Sequence, residues 1–493
     1  MENKARIAAA GRLAVYACTL FIAATTTLFA WRGSLFVATA DAWGFIATFL
    51  ARYYGGTLTL ADFFAKRGSL DHSQPLQKLL FLAYARFFDL DFAFEAVTGV
   101  AFGLALIAVL VAIVRADTKG APRAKSVAAL TTLGMTAVVL SLNDEGVFSW
   151  SLATLSLFYP FGVASMLVFA YRCIAREKPL ALAIGTLVAC VLLDTSALLA
   201  AAAIVALIAL RRRTFATTRA PLRFVAAIGF AVVIYIGGYA LAFPNEYSST
   251  RIGQPFDALF AHAGEAWKVL VVPLGAVVAS PHRIKQMYGV DAFWTWLVPA
   301  AIAMAAAHVW FWREISRRED SRLTFVAAGL MLFFYATVAG ILWARVPRYG
   351  FDYFLQTRYL VFYMLQLVAM LMIAASNAAR GEGRAEPFVA YAAAVVVLAG
   401  AALVYGRRVE LPAHVDFNRM LDAKVIALAE HPAEPPADCP INHLTLCGWV
   451  PEVRIATLAL MRREQLNVFS PRFRERHGLP PLPTSLQSRP AAP

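Results

Sequence analysis

Eleven apolar stretches punctuate this chain, at about 11–31, 94–114, 126–142, 149–171, 179–193, 195–210, 222–243, 292–312, 323–343, 359–378 and 387–406. A helix crosses the roughly 30 Å hydrocarbon core of a bilayer with about 20 apolar residues. Inside lipid the backbone must satisfy its own hydrogen bonds, and continuous apolar runs do so as helices. The composition agrees, with 60% hydrophobic and 15% charged residues. Soluble domains carry roughly 45–50% and about 25%. Soluble, disordered and fibrous classes are thereby excluded. The sequence reads as an all-α polytopic membrane protein of about eleven transmembrane helices, embedded in a lipid bilayer.

The net charge of +14 would suggest nucleic acid in a soluble chain. Here its distribution speaks of topology instead, and no nucleic-acid partner is inferred. With a cytoplasmic N-terminus, the six inner segments hold 21 Lys and Arg in 61 residues; the short outer segments hold 13 over more than twice that length. That is the positive-inside asymmetry. It places the chain in a bacterial inner membrane with its C-terminus in the periplasm. The first span follows Lys4, Arg6 and Arg12 and exceeds the 7–15 residues of a signal h-region. It is read as uncleaved, although Ala38-Thr39-Ala40 has the form of a cleavage site. Residues 256–281 mimic a further span. Counting them would invert everything downstream, and they carry His262, Glu265 and Lys268. They are read as an interfacial or re-entrant element.

Residues 1–406 form the transmembrane body, with outer loops at 32–93, which holds two or three short amphipathic helices, and at 244–291; 407–477 form a small periplasmic region, and 478–493 read as disordered. In the first loop, Asp41 to Tyr54 reads as a helix. Leu58 to Lys66 reads as another, with Thr59 as N-cap and Asp62 three residues on. Pro75 opens a third. Cys439 and Cys447, eight apart in the region assigned to the periplasm, are expected to form a disulfide. No zinc-type cysteine spacing, Walker motif or dinucleotide fingerprint occurs.

Chemistry must then reside in the membrane body and its outer loops. Asp41 follows the first span, where a carboxylate can act as a base or cap the following helix. Asp71-His72-Ser73-Gln74-Pro75-Leu76-Gln77-Lys78 sets a carboxylate, an imidazole and an ammonium before an apolar helix; a solvated helix start with a snorkelling Lys78 is the alternative. Asn143-Asp144-Glu145 forms an outer turn. Arg345, Arg348 and Arg358 lie on the outer side against the charge trend. Forked guanidinium donors suit phosphate, while arginine beside Tyr349 or Tyr359 also suits headgroup anchoring.

The order of these features resembles the GT-C superfamily of polytopic glycosyltransferases, with the protein O-mannosyltransferases and lipid A aminoarabinose transferases as the nearest likenesses. Those enzymes carry an acid just after the first span, matched by Asp41. They have a charged residue and two prolines before a Leu-x-Lys helix start. Ser73-Gln74-Pro75-Leu76-Gln77-Lys78 matches that start, with Ser73 in place of the charge and Gln74 in place of the first proline. Arg358-Tyr359 resembles the family's Arg-Tyr before a late helix. The architecture matches over about 1–380. The resemblance implies a polyprenyl-phosphate sugar donor, with Arg358 and Tyr359 at its phosphate and Lys78 or Arg348 assisting. It implies Asp41 as base, with Asp71 the alternative carboxylate and His72, Asp144 and Glu145 supporting. It implies no definite cofactor; a divalent cation (Mg or Mn) bridged by Asp144 or Glu145 is the option left open. The acceptor, a glycan, lipid or protein, is undetermined. A transporter or flippase is the rival class, marked by ionisable residues at mid-membrane. A non-catalytic membrane scaffold is the third.

Overall fold

The computed structural model describes residues 2–66, 73–150, 152, 154–210, 219–243, 257, 260, 263–278, 281–381, 385–434, 439 and 445–487. All regular structure among them is helical. Eight helices are long and apolar enough to cross a membrane: Ala9–Gly33, Phe92–Asp117, Leu155–Ala175, Pro221–Ala242, Phe293–Arg317, Arg322–Ala344, Thr357–Arg380 and Phe388–Glu430. Each overlaps one of the stretches read from hydropathy. The other three stretches are the shorter apolar helices Ala124–Val139, Pro179–Leu193 and Thr195–Leu210.

We label the helices that position the site. α1 is Glu2–Gly33, α2 runs Asp41–Phe45 and on through the π turn Ile46–Leu50 to Ala51–Tyr54, and α3 is Leu60–Phe64. α4 is Pro75–Phe87, α5 Phe92–Asp117 and α6 Ala124–Val139. α7 is Pro179–Leu193, α8 Thr195–Leu210, α9 Arg219–Ala242, α10 Lys268–Gly275 and α11 Pro281–Arg317. α12 is Arg322–Ala344, α13 Leu360–Arg380 and α14 Ala385–Tyr405, which continues through the π turn Gly406–Glu410 into α15, Leu411–Glu430. α16 is Pro451–Arg463, α17 Pro471–His477 and α18 Thr484–Gln487.

The first core lies among the spans, around α5, α6, α12 and α13. Apolar lipid gives no hydrophobic drive between such helices, so close packing and hydrogen bonds hold them. Thr26 Oγ1 of α1 donates to the Leu140 carbonyl at the end of α6, 2.8 Å away. At the end of the bundle remote from Asp41, Asp117 accepts from Ser376 at 2.9 Å and from Arg380 at 2.8 Å. Asn377 donates to Glu314 at 2.9 Å, and Arg318 reaches both Ser376 and Asn377. Three helix ends are locked together there.

Among the described residues of 256–281 no helix is long enough to be a span. Their described part contains α10, eight residues long, or about 12 Å at 1.5 Å per residue, against a core of about 30 Å. Val272 and Ala276 are fully buried. A Cβ on Gly275 would sit 2.6 Å from the Leu297 carbonyl, so only glycine allows this approach to α11.

The second core joins the first loop to the C-terminal region: Trp43, Phe49, Phe81 and Phe92 pack with Leu421, Met461, Phe469 and Phe473. Three expectations need correcting. The helix expected over Leu58 to Lys66 is only Leu60–Phe64, closed by the Thr59–Asp62 capping box. The boundary at 407 is not a break, since helix runs from Phe388 to Glu430. The stretch from 478 is not structureless as far as it is described. Leu479, Leu482 and Leu486 are buried in the second core. Arg462 donates to the Ser485 carbonyl at 2.8 Å. The proline content suggested disorder, and the leucines outweigh it.

Candidate functional site

Asp41 opens α2 at its first position. Ala40 before it has φ 47 and ψ −119, and Ala42 N donates to the Thr39 carbonyl at 2.9 Å. This is a type II′ turn with alanine where glycine is favoured. Strain of this kind costs on the order of 1–3 kcal/mol and persists only when the surroundings impose it. Asp41 is therefore not the N-cap; Ala40 stands there and offers no side-chain acceptor. The carboxylate lies in the first turn, where the helix dipole favours an anion. It is exposed, on a segment whose neighbours Val37, Ala38, Thr39 and Ala42 are fully buried.

Arg358 lies within electrostatic reach of Asp41. It stands one residue before Tyr359 at the head of α13. Its guanidinium donates to the Tyr353 hydroxyl and lies 5.6 Å from the ring centres of both Tyr353 and Tyr359. Tyr353 stacks on Tyr349 at 4.7 Å, and Arg348 lies over the Tyr349 ring at 5.5 Å. Aromatic faces hold both arginines by cation–π attraction, and both residues are exposed.

The turn at 142–149 packs between these two segments. Leu35 N donates to the Ser149 carbonyl at 2.6 Å, and a Cβ on Gly146 would lie 3.0 Å from Thr357 Oγ1. Glu145 is buried in this turn. The Asp144 side chain lies outside the described residues.

Below this cluster is an apolar cavity of about 170 Å³. Its wall begins at Ser141, Asn143 and Leu360 and descends past Met364 and Leu367 to Tyr391, Ala394 and Leu398 of α14. From Leu360 to Leu367 the wall follows α13 for about 10 Å. Val277 and Val278, beyond α10, close one side.

The helix start at 73–78 is held differently. Ser73 N donates to Asp194 at 2.9 Å, Gln74 to the Tyr159 hydroxyl at 3.3 Å and Gln77 to the Leu152 carbonyl at 3.0 Å. Lys78 is buried, and its ammonium donates to the carbonyls of Asp62 and Ala65. It ties α3 to α4 two helical turns along α2 from Asp41, near Phe49. Asp71 and His72 lie outside the described residues. Among the ion pairs here, Asp62 binds Arg52 and accepts from Thr59 N at 2.7 Å. Burial alone would raise the Asp62 carboxyl. The Thr59 amide and hydroxyl and Arg52 outweigh it and hold the carboxyl below its ordinary value.

Sequence reasoning gave no role to Asp194, seen only as the tip of the α7–α8 hairpin. It is 3% exposed, at φ 47, and accepts from Tyr235 at 2.7 Å as well as from Ser73. A lone acid between two apolar stretches was the available signal. Among the described residues no three His, Cys, Asp or Glu converge as metal ligands; the Asp144 side chain, one of the two considered for a divalent cation, is not among them. No family model matches this chain, and neither a curated protein nor a solved structure is significantly similar to it.

Proposed function

We propose that this chain is a GT-C-type membrane glycosyltransferase, moving a sugar from a polyprenyl-phosphate donor to an acceptor hydroxyl at the outer face of a bacterial inner membrane. The observation that carries the reading is that the 142–149 turn packs against both the segment leading to Asp41 and Thr357 beside Arg358, above an apolar cavity that leads into the bundle. Such a cavity takes the first isoprene units of a lipid tail, and the arginine above it takes the phosphate. Asp41 accepts the proton of the acceptor hydroxyl. The freed oxygen attacks the anomeric carbon from the face opposite the phosphate. The sugar–phosphate C–O bond breaks, and polyprenyl phosphate leaves as the anion held by Arg358. The configuration inverts, and no nucleotide is needed outside the cell.

The reading includes eleven crossings with the N-terminus inside, supported by the 21 inner against 13 outer basic residues. The three short apolar helices then cross where the bilayer thins around them, α7 and α8 as a hairpin.

One observation favours the flippase reading. His308 lies inside α11, where an ionisable group in a membrane helix is a functional candidate. Its two ring nitrogens meet Tyr335 at 2.5 Å and Gln366 at 2.7 Å, and Gln366 donates to the Pro273 carbonyl at 2.9 Å. This network joins α11, α12, α13 and α10 as packing would, so the enzyme reading is preferred. The test is transfer of a radiolabelled sugar from polyprenyl phosphate in nanodiscs, with envelope acceptors supplied. Release of polyprenyl phosphate in step with labelled product supports the proposal. Movement of the labelled lipid between leaflets without cleavage overturns it. A reporter fused after residue 410 should be active only when exported.

A further inference from the structure

The seven-residue stretch between Gly33, which ends α1, and Asp41, which opens α2, has no regular structure. Leu35, Phe36, Val37, Ala38 and Thr39 are nevertheless buried. Buried backbone groups need partners. The partners recorded for this stretch come largely from the opposite end of the chain. His414 Nδ1 donates to the Gly33 carbonyl at 2.8 Å, and Asn418 donates to the Ser34 carbonyl at 2.8 Å. Asn467 does more than either. Its amide donates to the carbonyls of Phe36 and Leu90, both at 2.8 Å, and its side-chain oxygen accepts from Ala38 N at 3.1 Å. Its own backbone N donates to the Asp89 carbonyl at 2.6 Å. Asn467 is fully buried and sits at φ 50, a conformation asparagine tolerates better than most residues. The Phe36 ring stacks on His477 at 3.7 Å, and His477 meets Asp91 at 2.9 Å.

We infer that the C-terminal region is a clamp on the Asp41 segment, and that Asn467 is a positioning residue for Asp41. Ala38, the last residue the clamp holds, is two residues before the strained Ala40. A II′ turn on alanine relaxes unless both sides are held. α2 holds one side, through Ala42 and Trp43, and Asn467 holds the other. The clamp reaches across more than 400 positions of sequence, so Asp41 is set only when the last part of the chain has folded back. The clamp is read from hydrogen bonds between side chains and backbone alone; the catalytic consequence rests on the glycosyltransferase reading.

The test uses the full-length protein in nanodiscs and has two arms. The first measures amide hydrogen exchange over 34–44; the second measures donor KM and kcat. Asn467→Gly keeps the left-handed backbone and removes all three side-chain hydrogen bonds. Asn467→Asp keeps the acceptor for Ala38 and sets a carboxylate against two carbonyls. Both should raise exchange over 34–44 by about tenfold or more. Both should lower kcat about tenfold or more while donor KM stays within about twofold, because misplacing a reacting group acts on turnover. Leu486→Ala, which empties a buried site on α18 and leaves the clamp's hydrogen bonds in place, is the control for general destabilisation. It should leave exchange over 34–44 and kcat within about twofold of the parent. If Asn467→Gly does not accumulate, His414→Phe carries the test at about threefold, since it keeps a ring against Phe29 and loses only the donor to Gly33. Unchanged exchange over 34–44 overturns the clamp, whatever the transfer arm reads. Raised exchange with unchanged kcat overturns the positioning role. Lack of transfer by the parent protein would sink the enzyme reading alone, and the exchange arm would still decide the clamp.

Discussion

Replacing Asp41 by Asn separates the two roles a carboxylate at this position can have. The side chain is exposed in the first turn of α2, and Ala40 is the cap. Asparagine keeps the volume and loses the charge. The lost attraction to the helix N-terminus is worth about 0.3–1 kcal/mol. The lost attraction to Arg358, also exposed, is worth about 0–1 kcal/mol. The fold should therefore lose less than about 2 kcal/mol. Loss of a general base costs about 10²–10⁴-fold, or about 2.7–5.5 kcal/mol of barrier. Turnover should fall by at least about 100-fold in a protein that still inserts and melts cooperatively. The assay is sugar transfer in nanodiscs beside a thermal melt followed by tryptophan fluorescence. Turnover within about threefold of the parent would refute the base assignment. Turnover and stability collapsing together would instead show a structural acid.

Four further outcomes follow from the geometry. Arg358→Lys keeps the charge but loses the fork and its stacking on Tyr353 and Tyr359, so donor KM should rise about tenfold or more with unchanged membrane yield. Lys78→Met should destabilise by about 1.5–3 kcal/mol because two carbonyls lose a charged donor. Its effect on donor KM should stay within about twofold, measured in the transfer assay; a large KM effect would restore Lys78 to the phosphate. The Asp62 carboxyl is held below its ordinary value, so its contribution is complete above about pH 4 and is lost as pH falls through the folded value. The parent's melting point should fall more steeply below that pH than that of Asp62→Asn. Ala394→Phe fills part of the cavity of about 170 Å³. Lipid already solvates the donor's tail, so the effect is steric exclusion rather than lost hydrophobic gain. Donor KM should rise while a water-soluble short-chain analogue is less affected, and equal effects on both would remove the cavity from the tail's path.

Much of the membrane body was legible because its causes are local. Each of the eleven apolar stretches contains a helix, since an apolar run in lipid has that route to satisfy its backbone. The Thr59–Asp62 capping box and the start of α4 at Pro75 were readable for the same reason, being contacts within four residues or a single fixed φ. Asp41 and Arg358 could be picked out as a carboxylate and a guanidinium beside spans. Their proximity could not, because 317 positions separate them and only the packing of the 142–149 turn between their segments brings them together.

The sequence by itself determined that this chain lives in a bilayer, where its helices lie, and which residues between spans have chemistry to offer. Tertiary structure decided what those residues touch. Lys78 looked like a phosphate ligand by motif, and its ammonium is turned to two carbonyls. Asp194 looked like a turn, and it holds the backbone of Ser73. The tail looked like an appendage, and Asn467 holds the segment that leads to Asp41. The physical reason is common to all three. Hydropathy acts over one helix length and leaves a periodic trace, whereas a buried polar side chain takes whichever backbone group the folded chain brings within about 3 Å. That group lies up to 431 positions away here, and no local pattern marks it.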